Sequence, residues 1–111
     1  MYLTVDNVFK ALADENRRAL LDQLYRRNGQ TLGQLCQQLK MSRQAASKHL
    51  RVLVRAELIV PLWRGREKLH FLNPAPLKQI CEHWIAKYPQ ACYGALADLE
   101  TALDRLSSAQ A

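Results

Sequence analysis

Apolar positions in the first half of the chain recur every three to four residues, the spacing of helices that bury one face. Val5, Val8, Phe9 and Leu12 share one face of a short helix over residues 5–12. Asp14 stands where an N-cap belongs, and Leu20, Leu21, Leu24 and Tyr25 then repeat at helical spacing to about Arg27. Asn28-Gly29 stops that helix, because both residues tolerate a left-handed C-cap. In "TLGQ", Thr31 and Gln34 fit a capping box and open a third, short helix with Leu32, Leu35, Cys36 and Leu39 inward. After a tight break at Lys40-Met41, Ser42 caps a fourth helix over about 43–56, whose buried stripe is Ala46, Leu50 and Leu53.

Beyond Glu57 the period changes from three or four to two. "LIVPLW" and "REKLHFL" alternate around a tight turn at Arg64-Gly65, with Leu58, Val60 and Leu62 on one face, and Leu69 and Phe71 likewise sharing one. Pro61 has no N–H to give a ladder, so its strand is expected at an edge with that position facing out. Asn73-Pro74 then signals a new helix, with the cap at Asn73 and proline at the first position. Its inward positions are Leu77, Ile80, Cys81, Trp84, Ile85, Tyr88, Cys92, Leu96, Leu99, Leu103 and Leu106, so it is expected from Ala75 to about Leu106, kinked or divided at Pro89. From Ile85 on, the spacing approaches a heptad seam. A helix this long cannot fold back along its whole length on so small a domain, and the simplest partner for its far half is the same helix of a second subunit.

Two short helices joined by a tight break have the outline of a helix-turn-helix, and a basic hairpin directly after the second has the form of a wing. The expected architecture is mainly α with a small β-hairpin wing, in the order α-α-α-α-β-β-α. All 111 residues form one winged helix-turn-helix domain, with the helix-turn-helix at about 31–56, the wing at about 58–72 and a dimerisation helix at about 75–106. No linker, repeat or low-complexity block divides the chain, and neither a signal peptide nor an apolar run long enough for a membrane span is visible. Three cysteines are too few and too odd in number for a disulfide framework, which points to a reducing compartment, the cytoplasm.

Charge adds the first functional signal. The net charge of +6 is carried entirely between Lys40 and His70, where eight basic residues face two acidic ones; the rest of the chain is neutral. A charge confined to one segment is an electrostatic footprint for a polyanion. Within it, Gln44, Ser47, Lys48, Arg51 and Arg55 lie in a sector of about 100° opposite the buried stripe of the fourth helix, with no acid among them. Amide, hydroxyl and guanidinium groups are the side chains that read base edges and phosphates. Ser42, Arg43, Gln44, Ser47 and Lys48 cluster at the helix N-terminus, where base contact is expected of Arg43, Gln44, Ser47 and Lys48, and a phosphate on the amides behind Ser42. Arg51 and Arg55 fall to phosphates, and Arg64, Arg66 and Lys68 of the wing to phosphates or the minor groove.

This order of elements resembles the ArsR/SmtB family of bacterial winged-helix repressors. "ALADENRRALLDQL" at 11–24 resembles the family's second-helix signature, "MSRQAASKHLRVLVRAELI" at 41–59 its recognition-helix signature with Ser47, His49 and Leu50, and "WRGREKLHFL" at 63–72 its wing. The resemblance implies a homodimer joined by the first and last helices, two recognition helices on successive major grooves of an imperfect palindrome, and release when an inducer binds. The dimer residues so implied are Val8, Phe9, Trp84, Ile85, Tyr88, Cys92, Leu96, Leu99 and Leu103.

The family's metal sites do not carry over. Where one of them has a Glu-Leu-Cys-x-Cys motif, this chain has Gln34, Leu35, Cys36, Gln37 and Gln38, so the second thiolate is replaced by glutamine. The last helix has His83, Asp98, Glu100 and Asp104 without the needed spacing. No metal and no cofactor are expected, and Cys36, Cys81 and Cys92 read as small core residues. His49, at the edge of the buried stripe, reads as a hydrogen-bonded, partly buried histidine, and an enzyme built on Cys36 and His49 lacks an orienting acid and an oxyanion motif.

The expected function is therefore a sequence-specific regulator of transcription, a repressor that binds double-stranded DNA as a homodimer, answers an inducer the sequence does not name, and has no dealings with a membrane. Two alternatives stay open. One is a thiol or soft-metal sensor of the same fold, in which Cys81 and Cys92, symmetric about Ala86-Lys87, meet across two antiparallel copies. The other is a winged helix used for protein contact. Trp84 and Tyr88 could also line an inducer pocket.

Overall fold

The computed structural model describes residues 5–109, with the side chains of all but 89–93 and 108–109. Four helices come first: α1 (Val5–Leu12), α2 (Glu15–Arg26), α3 (Leu32–Leu39) and α4 (Arg43–Arg55). An antiparallel hairpin of β1 (Ile59–Arg64) and β2 (Glu67–Leu72) follows, then α5 (Ala75–His83), a 3-10 turn at Ile85–Lys87 and α6 (Tyr88–Ala109). This is a winged helix-turn-helix. The residues divide into two compact units, the first ending at Lys78 and the second beginning at Gln79.

Helix starts lie where local chemistry places them. The Asp14 carboxylate accepts from the amides of Asn16 (2.8 Å) and Arg17 (3.1 Å) at the head of α2. Mainly through the Arg17 amide bond, its pKa is held below the ordinary value. Thr31 and Gln34 close the capping box of α3 with both reciprocal bonds present. Ser42 accepts from the Ala45 amide (3.1 Å), and Asn73 from the Ala75 amide (3.2 Å). Helix ends use left-handed residues. Lys40 (φ 52°) closes α3 and Glu57 (φ 61°) closes α4, where Glu57 N–H donates to Val54 O and Leu58 N–H to Leu53 O, the paired bonds of a Schellman motif.

The core of the first unit is Val8, Leu20, Leu24, Leu35, Leu53, Leu58 and Ile59, all essentially without solvent contact. Tyr25 is not part of it. It lies 81% exposed on α2, so the inward stripe there is Leu20, Leu21 and Leu24 alone. Arg17 and Arg18 close the end of α1: Arg17 donates from Nε to Ala11 O (2.8 Å) and from Nη2 to Lys10 O (2.9 Å), and Arg18 from Nη1 to Leu12 O (2.7 Å). The paired arginines of the second-helix signature thus bond the carbonyls at the end of α1, where the helix's own amide donors run out; Lys10 O also accepts from Ala13 N–H.

The hairpin departs from its expected parity. Ladder partners run from Ile59↔Leu72 to Arg64↔Glu67, which centres the two-residue turn on Gly65-Arg66 rather than Arg64-Gly65. Gly65 has φ 64°, the positive value two-residue hairpins need. Buried Ile59 and His70 lie on one face with Pro61 and Trp63, whereas Val60 and Leu62 lie exposed on the other. Leu58 is buried just ahead of the strand, so it shares no sheet face with them. Pro61 sits opposite His70, whose backbone N–H and C=O are engaged with residues 29 and 30 on the far side, so the missing proline donor falls at a non-bonded rung.

A third segment therefore pairs with β2. His70 N–H donates to Gln30 O (2.8 Å), and Gly29 N–H donates to His70 O (3.0 Å). Of the Asn28-Gly29 pair only Gly29 is left-handed (φ 75°), and a Cβ there would fall 2.9 Å from the Phe71 ring. Asn28 serves otherwise, its carboxamide accepting from Leu72 N–H (2.8 Å).

The final helix is not continuous. α5 closes with Trp84 N–H on Ile80 O (2.9 Å), and Trp84 itself leaves helical geometry at φ −131°. The break falls at Trp84, five residues ahead of the expected point. Pro89 explains the offset: a proline has no N–H for the carbonyl four residues back, and it is tolerated in a first turn, where α6 places it. The carbonyl of Ile85 accepts from Tyr88 N–H instead, forming the 3-10 turn. Among the described residues no helix is long and apolar enough to cross a membrane.

Candidate nucleic-acid interface

Packing of α4 is what aims its polar face. Ala46, Leu50 and Leu53 are buried, which turns Arg43, Gln44, Lys48, Arg51 and Arg55 outward and leaves Ser47 half-buried. The Ser42 cap sets the start of this helix, and its first turn, like the rest of it, carries no acid. On the wing, Arg64, Arg66 and Lys68 are exposed around the Gly65 turn. None of the cations named here forms an ion pair among the described residues within salt-bridge distance, so their charge faces solvent.

Between helix and wing runs a cleft of about 610 Å³. One wall comes from the start of α3 and from Arg43, Ser47 and Arg51 of α4; the other comes from Trp63, Arg66 and Lys68. Arg43 bends toward α3, its guanidinium near the position a Cβ on Gly33 would take (3.5 Å). Glu67 is the one acid in the lining. The structure thus brings six of the expected contact residues together on α4, with Ser42 at its cap, and three to the wing beside it, with Arg43, Ser47, Arg51, Arg66 and Lys68 sharing the cleft.

Two buried polar residues were not singled out from the sequence. Gln30 donates from Nε2 to the carbonyls of Gln23 (3.0 Å) and Arg27 (2.7 Å), closing α2, while its own carbonyl lies 3.0 Å from His70 Nδ1. His70 lines the floor of the cleft and is buried. Burial pushes its pKa down; the Gln30 carbonyl opposes that shift, and the Lys68 ammonium adds to it. The pair links α2 to the wing across forty residues of sequence, a distance no local pattern reports. His49 is partly buried, with Arg17 Nη1 3.5 Å and Asp14 Oδ1 4.0 Å from its Nδ1.

Residues assigned to a dimer surface differ among themselves. Val8 is 1% exposed and already covered within its own chain, and Phe9 is half-buried. Trp84, Ile85, Tyr88, Leu96, Leu99 and Leu103 are exposed; Trp84 and Tyr88 meet edge to face at 5.1 Å. The Cys92 side chain lies outside the described residues. Cys36 is half-buried and Cys81 exposed, so Cys81 is not the inward position its spacing suggests. Cys81 lies on α5 and position 92 on α6, on either side of the break at Trp84. Among the described residues no three His, Cys, Asp or Glu side chains are grouped to hold a metal ion.

Residues 12–61 match the model of a helix-turn-helix domain family. The chain is 40% identical over 86 residues to the uncharacterized HTH-type transcriptional regulator YuzN of Bacillus subtilis, covering 72% of this chain and 94% of that one. It is 34% identical over 74 residues to the transcriptional repressor SdpR of the same organism, covering 67% and 81%. Among solved structures, an ArsR-like transcriptional regulator from Rhodococcus sp. RHA1 superposes with a TM-score of 0.70 at 30% identity, over 88% of this chain and 91% of that one. The chain belongs to the ArsR-like family of helix-turn-helix transcriptional regulators. It is a DNA-binding regulator of transcription.

Proposed function

We propose that this ArsR-like regulator is a repressor: a non-catalytic, cytoplasmic homodimer that holds an imperfect palindromic operator and leaves it when an inducer binds. The whole chain acts as one functional domain in this reading. The observation that carries it is the acid-free face of α4 beside a cationic wing. Arg43, Gln44, Ser47 and Lys48 reach base edges from the first turns of α4, and the amides behind Ser42 receive a phosphate. Arg51 and Arg55 neutralise phosphates further along, and Arg64, Arg66 and Lys68 hold the backbone or minor groove at the wing. The repressor role is supported by the likeness to SdpR. The homodimer is supported by the exposed leucines of α6.

The test is binding to a duplex from upstream of its own gene and to a scrambled duplex, each across a salt series. Preference for the upstream duplex, with affinity falling steeply as salt rises, is the expected result. Equal and salt-insensitive binding to both would overturn the reading.

A further inference from the structure

The cleft between α4 and the wing contains one large aromatic side chain that the cationic residues do not account for. Trp63 is 70% exposed, although an indole is among the side chains that gain most from burial. It stands on the hairpin face that turns toward α4, the face of His70 and Lys68, and not on the opposite face with Val60 and Leu62. The Lys68 ammonium lies over its ring at 5.9 Å, a cation–π contact that keeps charge and ring side by side. Across the cleft are Arg43, Ser47 and Arg51.

Cations on both walls with an apolar plate on one of them match one chemistry closely. A sugar–phosphate strand offers anionic oxygens at each phosphate and a C–H face at each deoxyribose, alternating along its length. With α4 in a major groove and the wing toward the neighbouring minor groove, the strand that separates the two grooves runs along this cleft. An exposed indole there gains by covering the deoxyribose while its Nε1–H remains available to a phosphate oxygen.

We propose that Trp63 is a DNA contact of this protein, packing on the sugar–phosphate backbone where it crosses the cleft and adding affinity without sequence preference. The proposal rests on the DNA-binding reading above and deepens it. Because the contact is to backbone, a mixed-sequence duplex at low salt suffices as the probe.

Trp84 is the only other tryptophan, so a Trp84→Phe variant reports Trp63 alone by its fluorescence. Adding the duplex is expected to change Trp63 emission, and added salt to reverse the change. In the unaltered background, Trp63→Ala is expected to weaken binding about tenfold for scrambled and upstream duplexes alike. Trp63→Phe is expected to recover part of the loss. Both Trp63 variants should melt at the wild-type temperature, because that side chain is exposed. Duplex binding with Trp63 emission unchanged, or full affinity in Trp63→Ala, would overturn this proposal alone. No duplex binding by the unaltered protein would overturn it together with the repressor reading.

Discussion

The two compact units solve the burial problem differently. Through Lys78, helices of eight to thirteen residues and a hairpin enclose Leu20, Leu24, Leu35, Leu53 and Leu58, leaving none of them measurably exposed. From Gln79 on, Leu96, Leu99, Leu103 and Leu106 of the 22-residue α6 are each more than half exposed, and among the described residues only Ile80 is buried. The same residue type at the same helical spacing is core in the first unit and surface in the second. Periodicity marks a face that must be covered; it does not say by what. The first unit covers its face with its own elements and presents a cationic surface outward. The second offers an apolar stripe, which suits it to meet another chain.

The sharpest way to break this contrast is to truncate one leucine of each kind. Leu53→Ala is expected to lower unfolding free energy by about 2–5 kcal/mol in denaturant melts, at any protein concentration. Leu99→Ala with Leu103→Ala should act through association. Sedimentation should show monomer at concentrations where the parent is dimeric, and the melting temperature should lose its concentration dependence. If that double variant instead melts like Leu53→Ala while remaining dimeric, the stripe is internal core and the contrast fails.

Within the first unit, the DNA face should separate by role. Arg51→Ala is expected to weaken upstream and scrambled duplexes equally and to flatten the salt slope by about one unit, whereas Gln44→Ala should relax preference at one position by about 1–3 kcal/mol. Competition binding against a library of single-base operator variants distinguishes the two.

Smaller effects probe how the unit is closed. Glu57 holds a left-handed conformation that disfavours side chains, so Glu57→Gly should raise stability by up to about 1 kcal/mol, read from chemical denaturation. His70 tests the link between α2 and the wing. Its folded pKa is lowered, chiefly by burial, so below about 6.5 the unfolded chain binds the proton more readily than the folded one. Stability from the neutral imidazole is therefore full above that pH and is lost as pH falls toward the lowered folded value. A His70→Gln variant should melt with a flatter dependence on pH over that window; an unchanged slope would remove His70 as its source.

Local chemistry was legible because it is short-range. Asp14, Thr31, Ser42 and Asn73 each cap a helix through an amide two or three residues on, so a window of four residues contains both partners. The polar face of α4 was legible for a related reason, since helical geometry alone sets the angular position of Gln44, Ser47, Lys48, Arg51 and Arg55. The hairpin was harder. Alternation identifies two faces but not which one is buried, and "LIVPLW" is apolar on both. Pro89 was visible as an interruption, yet where the chain yields depends on which upstream carbonyl goes without its donor, and that moved the break to Trp84.

By itself, then, the sequence determined the boundaries of the first four helices to within a residue or so, the helix-turn-helix, the location of the charge and the residues that face away from the core on α4. These follow from contacts within one or two helical turns. Only the tertiary structure decided which hairpin face is inner, that Gln30 and His70 form a buried polar link, and that Trp63 stands in a cleft with Arg43 and Arg51. Each depends on groups tens of residues apart, brought together by the burial of a core whose final arrangement no local pattern records.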